Sequence, residues 1–343
     1  MTIENNDILN DYVCLNPFKH LEFFEKDVYC CCPGWLNMPV GDINNLNDIW
    51  QGERLKNIQN SVLDGSYSYC DKNLCPALSG LYYNNKNNDF SKKSDFIRNN
   101  YNKGPEVLNF SFDNSCNLSC PSCRTNLIMA DSNELVNNNN IMENISKNFG
   151  GTVTTMMMIG SGDVFASKTF RNFLIDFDIE KYPKIESLSI QTNGMLLNKE
   201  MWNKMIKSRD LIKMINISVD AATKETYEKI RRGGKWEILM ENLKFITKLN
   251  CVITFTFIVQ DTNYKEMESF YNLIMSIIPS SKISFTKITN WGTYSEEEFK
   301  NKEIYNEYHP EFNLFLNELN KIAFKYNIST NMGDIIEKYL KNK

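Results

Sequence analysis

The chain has 343 residues, of which 42% are hydrophobic, and a formal net charge of −4 at pH 7. This length suffices for one large core and a smaller module. The acidic balance argues against a dominant nucleic-acid role, because phosphate backbones require a concentrated basic surface. Residues 1–12 lack the basic and apolar segments of a signal peptide, and no apolar run approaches the roughly 18 residues of a membrane span. We therefore expect a cytoplasmic protein with neither nucleic acid nor membrane as a partner.

The cysteine content indicates metal ligation. The chain holds ten cysteines but only two histidines, His20 and His309, which we expect to be structural or surface residues. A reducing cytosol does not sustain structural disulfides, so ligation by cysteine alone is the favoured interpretation. The cysteines form an early group, a middle group and one isolated residue, namely Cys14, Cys30, Cys31, Cys32, Cys70 and Cys75, then Cys116, Cys120 and Cys123, then Cys251.

A polar stretch separates the two cysteine groups. Residues 84–104 are rich in Asn, Lys and Ser, which is typical of a linker. We therefore predict a cysteine-rich N-terminal module over residues 1–83 and an α/β domain over residues 105–300. Residues 301–343 are predicted to form a helical C-terminal extension.

From residue 107 onward, apolar strands alternate with helices. This alternation predicts parallel strands joined by right-handed crossovers. Six strands are too few for a closed eight-stranded barrel, so the predicted fold class is α/β, with a partial (β/α)6 TIM-like barrel whose chemistry lies at the C-terminal strand ends. Strands are predicted at 107–112, 152–159, 185–191, 214–219, 252–260 and 283–288. Helices are predicted at 133–148, 168–177, 199–207, 225–230, 236–249, 264–278, 311–326 and 334–341.

The middle cysteine group places three thiolates on one loop, Cys116-Asn-Leu-Ser-Cys120-Pro-Ser-Cys123. Three thiolates can bind three irons of a four-iron cube and leave the fourth iron open. A zinc site is the alternative, but zinc prefers paired CxxC knuckles and needs a fourth ligand. The run resembles the CNLxCxxC loop that follows the first barrel strand of radical SAM enzymes. Ser122 departs from the family, which often has an aromatic residue at that position.

The resemblance implies a specific chemistry and cofactors. A [4Fe-4S] cluster on Cys116, Cys120 and Cys123 would bind S-adenosyl-L-methionine at its open iron. Reductive cleavage would then produce a 5′-deoxyadenosyl radical that abstracts hydrogen from the substrate. An external electron donor, such as a flavodoxin or a ferredoxin, is implied as a partner.

Three later segments resemble cofactor-binding motifs of the same family. Gly160-Ser161-Gly162-Asp163 resembles the GGE motif that binds the amino group of the methionine moiety, although Asp163 is one methylene shorter than the usual Glu. A tight strand-to-helix turn is the alternative interpretation. Thr192-Asn193-Gly194 resembles the TNG segment near the bound cofactor.

The third segment, Ser218-Val-Asp220 with Tyr227-Glu-Lys-Ile-Arg231, resembles the SxD…YxxIR stretch of the family. It implies that Ser218 hydrogen-bonds the ribose or carboxylate and that Arg231 pairs with the carboxylate. Arg231 as a cation at the end of a helix is the alternative. The predicted cofactor-binding residues are therefore Gly160, Ser161, Gly162, Asp163, Thr192, Asn193, Ser218 and Arg231.

The N-terminal module resembles a twitch domain, which is half of a SPASM module, placed here before the barrel. The similar segments run from Cys14-Leu-Asn-Pro-Phe through Asp27-Val-Tyr-Cys-Cys-Cys-Pro-Gly-Trp35 to Cys70 and Cys75. Such modules hold a closed auxiliary [4Fe-4S] cluster with four cysteine ligands. Neighbouring residues of an extended segment face opposite sides, so Cys31 as a ligand excludes its two neighbours. The family pattern selects Cys31 and leaves Cys32 as the alternative, which gives the set Cys14, Cys31, Cys70 and Cys75. A structural zinc site is the other interpretation.

Two clusters together predict a radical SAM oxidoreductase or modifying enzyme acting on a small-molecule or sugar-like substrate, with the auxiliary cluster accepting an electron. A maturase of a ribosomally made peptide is the alternative. A non-catalytic iron–sulfur or zinc scaffold is a third hypothesis, but a scaffold does not need cofactor-binding motifs at strand ends. No catalytic residue or general base is identified. Cys251 is expected to be a core residue, with hydrogen-atom donation as the alternative.

Overall fold

The computed structural model describes residues 7–78, 81, 89–99, 103–158 and 160–341. Among these residues, no helix combines the length and the apolar character that crossing a membrane requires. The chain divides into two compact units. The first unit consists of Met1–Asp113, Asp131–Ser161 and Phe177–Leu188, and the second unit of Asn114–Ala130, Gly162–Asp176 and Ser189–Lys343.

Short strands and helices make up the first unit. Its strands are β1 (Tyr12–Cys14), β2 (His20–Phe24), β3 (Asp27–Tyr29), β4 (Gly41–Asp42), β5 (Phe90–Lys92), β6 (Val107–Ser111) and β7 (Thr155–Met158). Its helices are α1 (Asp7–Asp11), α2 (Asn16–Lys19), α3 (Glu53–Leu63), α4 (Lys93–Asn99) and α5 (Ser132–Phe149).

The sheet of the first unit is centred on β6, which pairs in parallel with both β2 and β7. Strands β3 and β4 extend it in antiparallel pairing, while β1 and β5 form a separate antiparallel pair. Leu21, Phe23, Leu108 and Phe110 are fully buried. These side chains alternate along β2 and β6, so one face of the sheet forms a hydrophobic core.

Two predicted boundaries are wrong in the first unit. Residues 89–99 are not a linker, because they form β5 and α4, and Phe90 and Phe96 pack in the hydrophobic core of the N-terminal region. The polar composition of the surrounding sequence led to the linker prediction, although Phe90 and Phe96 are hydrophobic core residues. Residues 84–88 and 100–102 of the predicted linker lie outside the described residues. Residues 1–83 are also not separate from the α/β region, because β2 pairs directly with β6.

Strands and helices alternate regularly in the second unit. Its elements are α6 (Lys168–Ile175), β8 (Ser187–Thr192, which enters this unit at Ser189), α7 (Lys199–Lys204), β9 (Ile212–Ser218), α8 (Lys224–Ile230), α9 (Trp236–Ile246), β10 (Val252–Val259), α10 (Met267–Ile277), β11 (Lys282–Lys287), α11 (Glu296–Lys302), α12 (Phe312–Ala323), β12 (Ile328–Thr330) and α13 (Gly333–Tyr339). The strand order is β8-β9-β10-β11-β12, and the pairs from β9 to β12 are parallel.

The predicted α/β class is confirmed, with a mostly parallel sheet. Each of the six predicted strands corresponds to an observed strand, β6 to β11, with ends that differ by a few residues. The helical extension predicted over residues 301–343 is wrong in one respect, because it contains β12, which pairs with β11. This strand has only three residues, too few for a periodic pattern to be recognised.

Candidate functional site

The middle cysteine loop follows β6 and lies in the second unit. The amide of Cys116 donates to the carbonyl of Ile128 at 2.9 Å, which closes the loop. The amides of Cys123 and Arg124 donate to the carbonyl of Cys120 at 2.9 and 3.0 Å. Cys116 and Cys120 are buried, and Cys123 is exposed. The backbone thus holds the three predicted ligands on one compact turn with one edge open to solvent.

Each sulfur of this loop has its own N–H donor. The side-chain amide of Asn193 lies 3.8 Å from Cys116 Sγ, and a guanidinium nitrogen of Arg231 lies 4.0 Å from Cys120 Sγ. Arg124 Nη2 lies 3.5 Å from Cys123 Sγ. Donors of this kind stabilise negative charge on sulfur and tune bound clusters. Arg124 was not predicted, although its position directly after Cys123 in the sequence could have indicated it.

The loop chemistry fits a bound iron–sulfur cluster. Burial raises the pKa of Cys116 to about 11. Burial also raises the pKa of Cys120, while the positive charge of Arg231 lowers it. Burial makes it costly to ionise these thiols, and iron cations would offset that cost because the thiolate is the form that binds metal. Across the part of the chain that the structure describes, no three His, Cys, Asp or Glu side chains are grouped so as to hold a single metal ion.

The Asp163 carboxylate links its own loop in the second unit to the turn at Thr192 and Asn193 through hydrogen bonds. One of its carboxylate oxygens accepts from the Thr192 hydroxyl and from the Asn193 amide, both at 2.8 Å. The other accepts from the amides of Phe165 and Ala166 at 3.0 and 3.2 Å. Burial raises the pKa of Asp163, and these hydrogen bonds oppose the shift. The predicted contact of Asp163 with the methionine ammonium stays a prediction.

The end of β9 brings Asp220 and Arg231 together. Their side chains form an ion pair of 2.6 Å, and both are largely buried. Ser218, at the last position of β9, is buried as well. Asp220 has a left-handed φ of 65°, which is uncommon for a residue other than glycine. Asp220 was quoted in the sequence motif but not predicted as a functional residue.

Gly160 and Ser161 lie in the first unit, where Gly160 approaches β6 closely. A Cβ atom at Gly160 would lie 2.6 to 2.7 Å from the side chain and Cα of Ser111. Gly160→Ala should therefore lower the stability of the protein by about 1–3 kcal/mol through overpacking. Gly151→Ala is the matched control, because no atom lies within 4 Å of its added Cβ. Thermal unfolding of both variants measures the effect, and equal midpoints would contradict the close approach.

The early cysteine group surrounds a pocket in the first unit. The pocket is lined by all four predicted ligands, Cys14, Cys31, Cys70 and Cys75. Neither Cys30 nor Cys32 lines it. The indole N–H of Trp35 donates to Cys31 Sγ at 3.3 Å, and the Asn16 amide lies 3.7 Å from the same sulfur.

The electrostatics of this pocket fit a bound cation-rich group. Burial raises the pKa of Cys14, and the neighbouring thiols Cys31, Cys70 and Cys75 raise it further by repulsion between thiolates. The pKa of Cys70 is raised to about 12 by the same two causes. Four neighbouring thiols that repel one another when ionised would be stabilised together by a bound metal group, which displaces their protons. The donor set is that of a closed four-cysteine cluster.

Comparison with known proteins identifies the central region. Residues 110–274 match the family model of the Radical SAM superfamily, and this segment contains the middle cysteine loop, Asp163, Asn193 and Arg231. The chain thus contains a radical SAM domain. Members of this superfamily are enzymes that use a [4Fe-4S] cluster and S-adenosyl-L-methionine.

Curated relatives match parts of the chain. GTP 3′,8-cyclase of Petrotoga mobilis is 32% identical over 98 residues, which are 28% of this chain and 29% of that protein. GTP 3′,8-cyclase of Clostridium perfringens strain SM101 is 23% identical over 185 residues, which are 52% of this chain and 54% of that protein. The matches therefore span about half of these relatives' length or less.

Solved structures of similar fold are distant. Streptococcus suis SuiB bound to S-adenosylmethionine gives a TM-score of 0.42 with 14% identity, covering 80% of this chain and 62% of that one. Polyhistidine-tagged anSMEcpe with bound AdoMet gives a TM-score of 0.47 with 16% identity, covering 69% of this chain and 66% of that one. These similarities are too distant to assign a substrate or partner.

Proposed function

We propose that the protein is a radical SAM oxidoreductase or modifying enzyme that acts on a small-molecule or sugar-like substrate. The observation that carries this proposal is the middle cysteine loop. Its three sulfurs each face a separate N–H donor, and the loop lies within the radical SAM domain. The strand-end position of the site supports the partial (β/α)6 barrel that the sequence predicts.

In this proposal the residues of the second unit have distinct tasks. Cys116, Cys120 and Cys123 would hold the [4Fe-4S] cluster. When bound, the reduced cluster and S-adenosyl-L-methionine supply a 5′-deoxyadenosyl radical that abstracts hydrogen from the substrate. In the second unit, the residues predicted to contact the cofactor are Gly162, Asp163, Thr192, Asn193, Ser218 and Arg231.

Asp163 supports the site by fixing the turn that carries Asn193. It accepts hydrogen bonds from Thr192 and from the backbone of Asn193, and the Asn193 side chain then reaches both Cys116 and Asn117. The Asn193 side-chain oxygen in turn accepts from the amide of Met195 at 3.0 Å. This chain of contacts would hold the cysteine loop and the TNG-like turn in one arrangement before any cofactor binds.

The early cysteine group would hold an auxiliary [4Fe-4S] cluster on Cys14, Cys31, Cys70 and Cys75. Four cysteines on one pocket leave no iron open for S-adenosyl-L-methionine. The chemistry that such a closed cluster supplies is electron transfer, so it would accept the electron released when the substrate radical is oxidised. This second cluster is the feature that favours oxidation over other radical reactions.

The polar face of the second unit's sheet supports a small polar substrate. Asn216 donates to Gln191 at 3.2 Å and accepts from the hydroxyls of Thr254 and Thr256, each at 3.1 Å. The hydroxyl of Thr286, on the neighbouring strand, is buried without a partner among the described residues. These five side chains are uncharged hydrogen-bonding groups, which suit the hydroxyl groups of a sugar-like molecule. GTP, named for the curated relatives, carries a triphosphate that these side chains would not neutralise.

The proposal is tested by reconstituting the protein anaerobically with iron and sulfide and adding S-adenosyl-L-methionine with a strong reductant. Two cubane clusters correspond to about eight irons and about eight sulfides per chain. We expect that content together with formation of 5′-deoxyadenosine. Saturation at about four irons would remove the auxiliary cluster from the proposal, and intact S-adenosyl-L-methionine after reduction would contradict the enzyme class.

A further inference from the structure

Arg231 occupies a buried position between a carboxylate and a cysteine sulfur. Its Nη2 atom lies 2.6 Å from an Asp220 carboxylate oxygen, and its Nη1 atom lies 4.0 Å from Cys120 Sγ. The side chain of Arg231 is 13% exposed and that of Asp220 is 5% exposed. Solvent therefore screens these charges weakly, and their fields act strongly on their neighbours.

Asp220 is itself held rigidly at the end of β9. Its second carboxylate oxygen accepts from the amide of Ile258 at 2.8 Å, and its carbonyl accepts from the side chain of Asn263 at 2.9 Å. Asn263 is fully buried and also donates to the carbonyl of Ile258 at 2.8 Å. The left-handed backbone of Asp220 persists because these contacts fix it from both sides. Asp220, which orients Arg231, is thus fixed at the ends of the parallel strands β9 and β10.

This geometry gives Arg231 two contacts that the sequence did not indicate. A cation that only complements the end of helix α8 would point toward solvent or the last carbonyl groups. Both terminal nitrogens of Arg231 are already engaged, Nη1 with Cys120 Sγ and Nη2 with Asp220. Its remaining nitrogen, Nε, is buried without a partner among the described residues.

We propose that Arg231, oriented by Asp220, is a positioning residue that places a fixed positive charge against the Cys120 sulfur and thereby raises the reduction potential of the cluster on the middle loop. This inference rests on the proposed function. A positive charge stabilises the reduced cluster, which carries one more electron than the oxidised cluster. The Arg231 charge acts on Cys120 more strongly than the opposite Asp220 charge, and its Nη1 atom lies within 4.0 Å of the sulfur.

The test compares Arg231→Gln with Arg232→Gln in the reconstituted full-length protein. Arg232 is the matched control, because it bonds Ser119 Oγ at 3.0 Å and the Thr125 carbonyl at 2.8 Å rather than a sulfur, and it is exposed. The measurement is a reductive titration followed by electron spin resonance. The signal of the middle cluster is identified as the one that disappears in the Cys116/Cys120/Cys123→Ala protein.

At a fixed ambient potential we expect the ratio of reduced to oxidised middle cluster to fall about tenfold in Arg231→Gln, which corresponds to about 59 mV for a one-electron couple. Arg232→Gln should change the ratio less than about twofold, because solvent screens an exposed charge. An unchanged ratio in an Arg231→Gln protein that retains its iron would overturn the inference.

Arg231→Gln leaves Asp220 as a buried unpaired charge, which can prevent folding. The double variant Asp220→Asn/Arg231→Gln removes both charges and avoids that penalty. We expect its ratio to fall in the same direction but by less, since the opposing carboxylate is also removed. A ratio equal to or above that of the wild-type protein would overturn the inference. Cleavage of S-adenosyl-L-methionine by the wild-type protein tests the proposed function separately. Failure of the proposed function is therefore distinguishable from failure of the inference about Arg231.

Discussion

Replacing Cys116, Cys120 and Cys123 together with alanine should reduce 5′-deoxyadenosine formation to the level of a protein-free control. The three sulfurs lie on one loop whose backbone is closed by hydrogen bonds, and no other cysteine of the second unit is near it in sequence. Without these thiolates the loop has no ligand for a cluster, and the N–H donors of Asn193, Arg231 and Arg124 lose their sulfur acceptors.

Iron content distinguishes loss of one cluster from loss of the fold. The triple variant should retain about four irons, because the pocket of Cys14, Cys31, Cys70 and Cys75 lies in the first unit. Cys251→Ala is the matched control, since Cys251 directly precedes β10 and lies about 26 Å from the C-terminal end of that strand at the usual rise per residue. We expect this control to keep both clusters and full activity. Continued cleavage by the triple variant would show that the open iron has been assigned to the wrong cysteines.

The strands of the second unit were predictable because their side chains alternate. Ile253, Phe255, Phe257 and Val259 are buried on one face of β10, and the residues between them are partly exposed. An alternation of buried and partly exposed residues sustained over eight residues clearly indicates a strand with one buried face. Strands β1 to β5 and β12 were not predicted, because strands of two to five residues are too short to show a clear alternation and depend on pairing with other strands.

The sequence indicated which segments form the candidate site, but it did not indicate which partners their side chains choose. The predicted contact of Asp163 with an ammonium stays a prediction, but the motif did not indicate that its oxygens accept from Thr192 and Asn193, about thirty residues away along the chain. The predicted contact of Arg231 with a cofactor carboxylate also stays a prediction, and its ion pair with Asp220 was not foreseen. Such choices depend on how strand ends converge in space and on the cost of leaving a buried charge unpaired. A motif in one chain segment does not contain that information.

For the consecutive cysteines Cys30, Cys31 and Cys32, the sequence pattern narrows the choice of ligand, and the packing around them adds the rest. The alternation of an extended backbone limits the choice to Cys31 or to its two neighbours. The structure places Cys31 on the pocket with Cys14, Cys70 and Cys75, whereas neither Cys30 nor Cys32 lines that pocket. Burial raises the pKa of Cys31 to about 11, while hydrogen bonding from Trp35 lowers it. The N–H donor of Trp35 would stabilise a thiolate ligand at this position. Ligation by Cys31 stays a prediction with a direct test.

Cys31→Ala should lose most of the auxiliary iron, about four irons per chain, whereas Cys30→Ala should retain it. Removal of one thiolate from a closed cluster opens an iron to solvent and makes the cluster labile. Cys30 is a suitable control because it is adjacent, fully buried and outside the pocket, so its replacement causes a comparable packing change without removing a ligand. Iron analysis and electron spin resonance of the single variants provide the comparison. Full iron retention in Cys31→Ala together with loss in Cys32→Ala would move the ligand to Cys32.

The same variant separates an electron-transfer role from a structural one. The middle cysteine loop is unchanged in Cys31→Ala, so reductive cleavage of S-adenosyl-L-methionine should continue at a measurable rate. If the auxiliary cluster accepts the substrate electron, the substrate radical in this variant has no acceptor within the protein and oxidised product should fall at least about tenfold relative to 5′-deoxyadenosine. The ratio of the two products, measured by mass spectrometry with the cognate substrate, is independent of how much enzyme is active. An unchanged ratio in protein that lacks auxiliary iron would assign the early cysteine group a structural role.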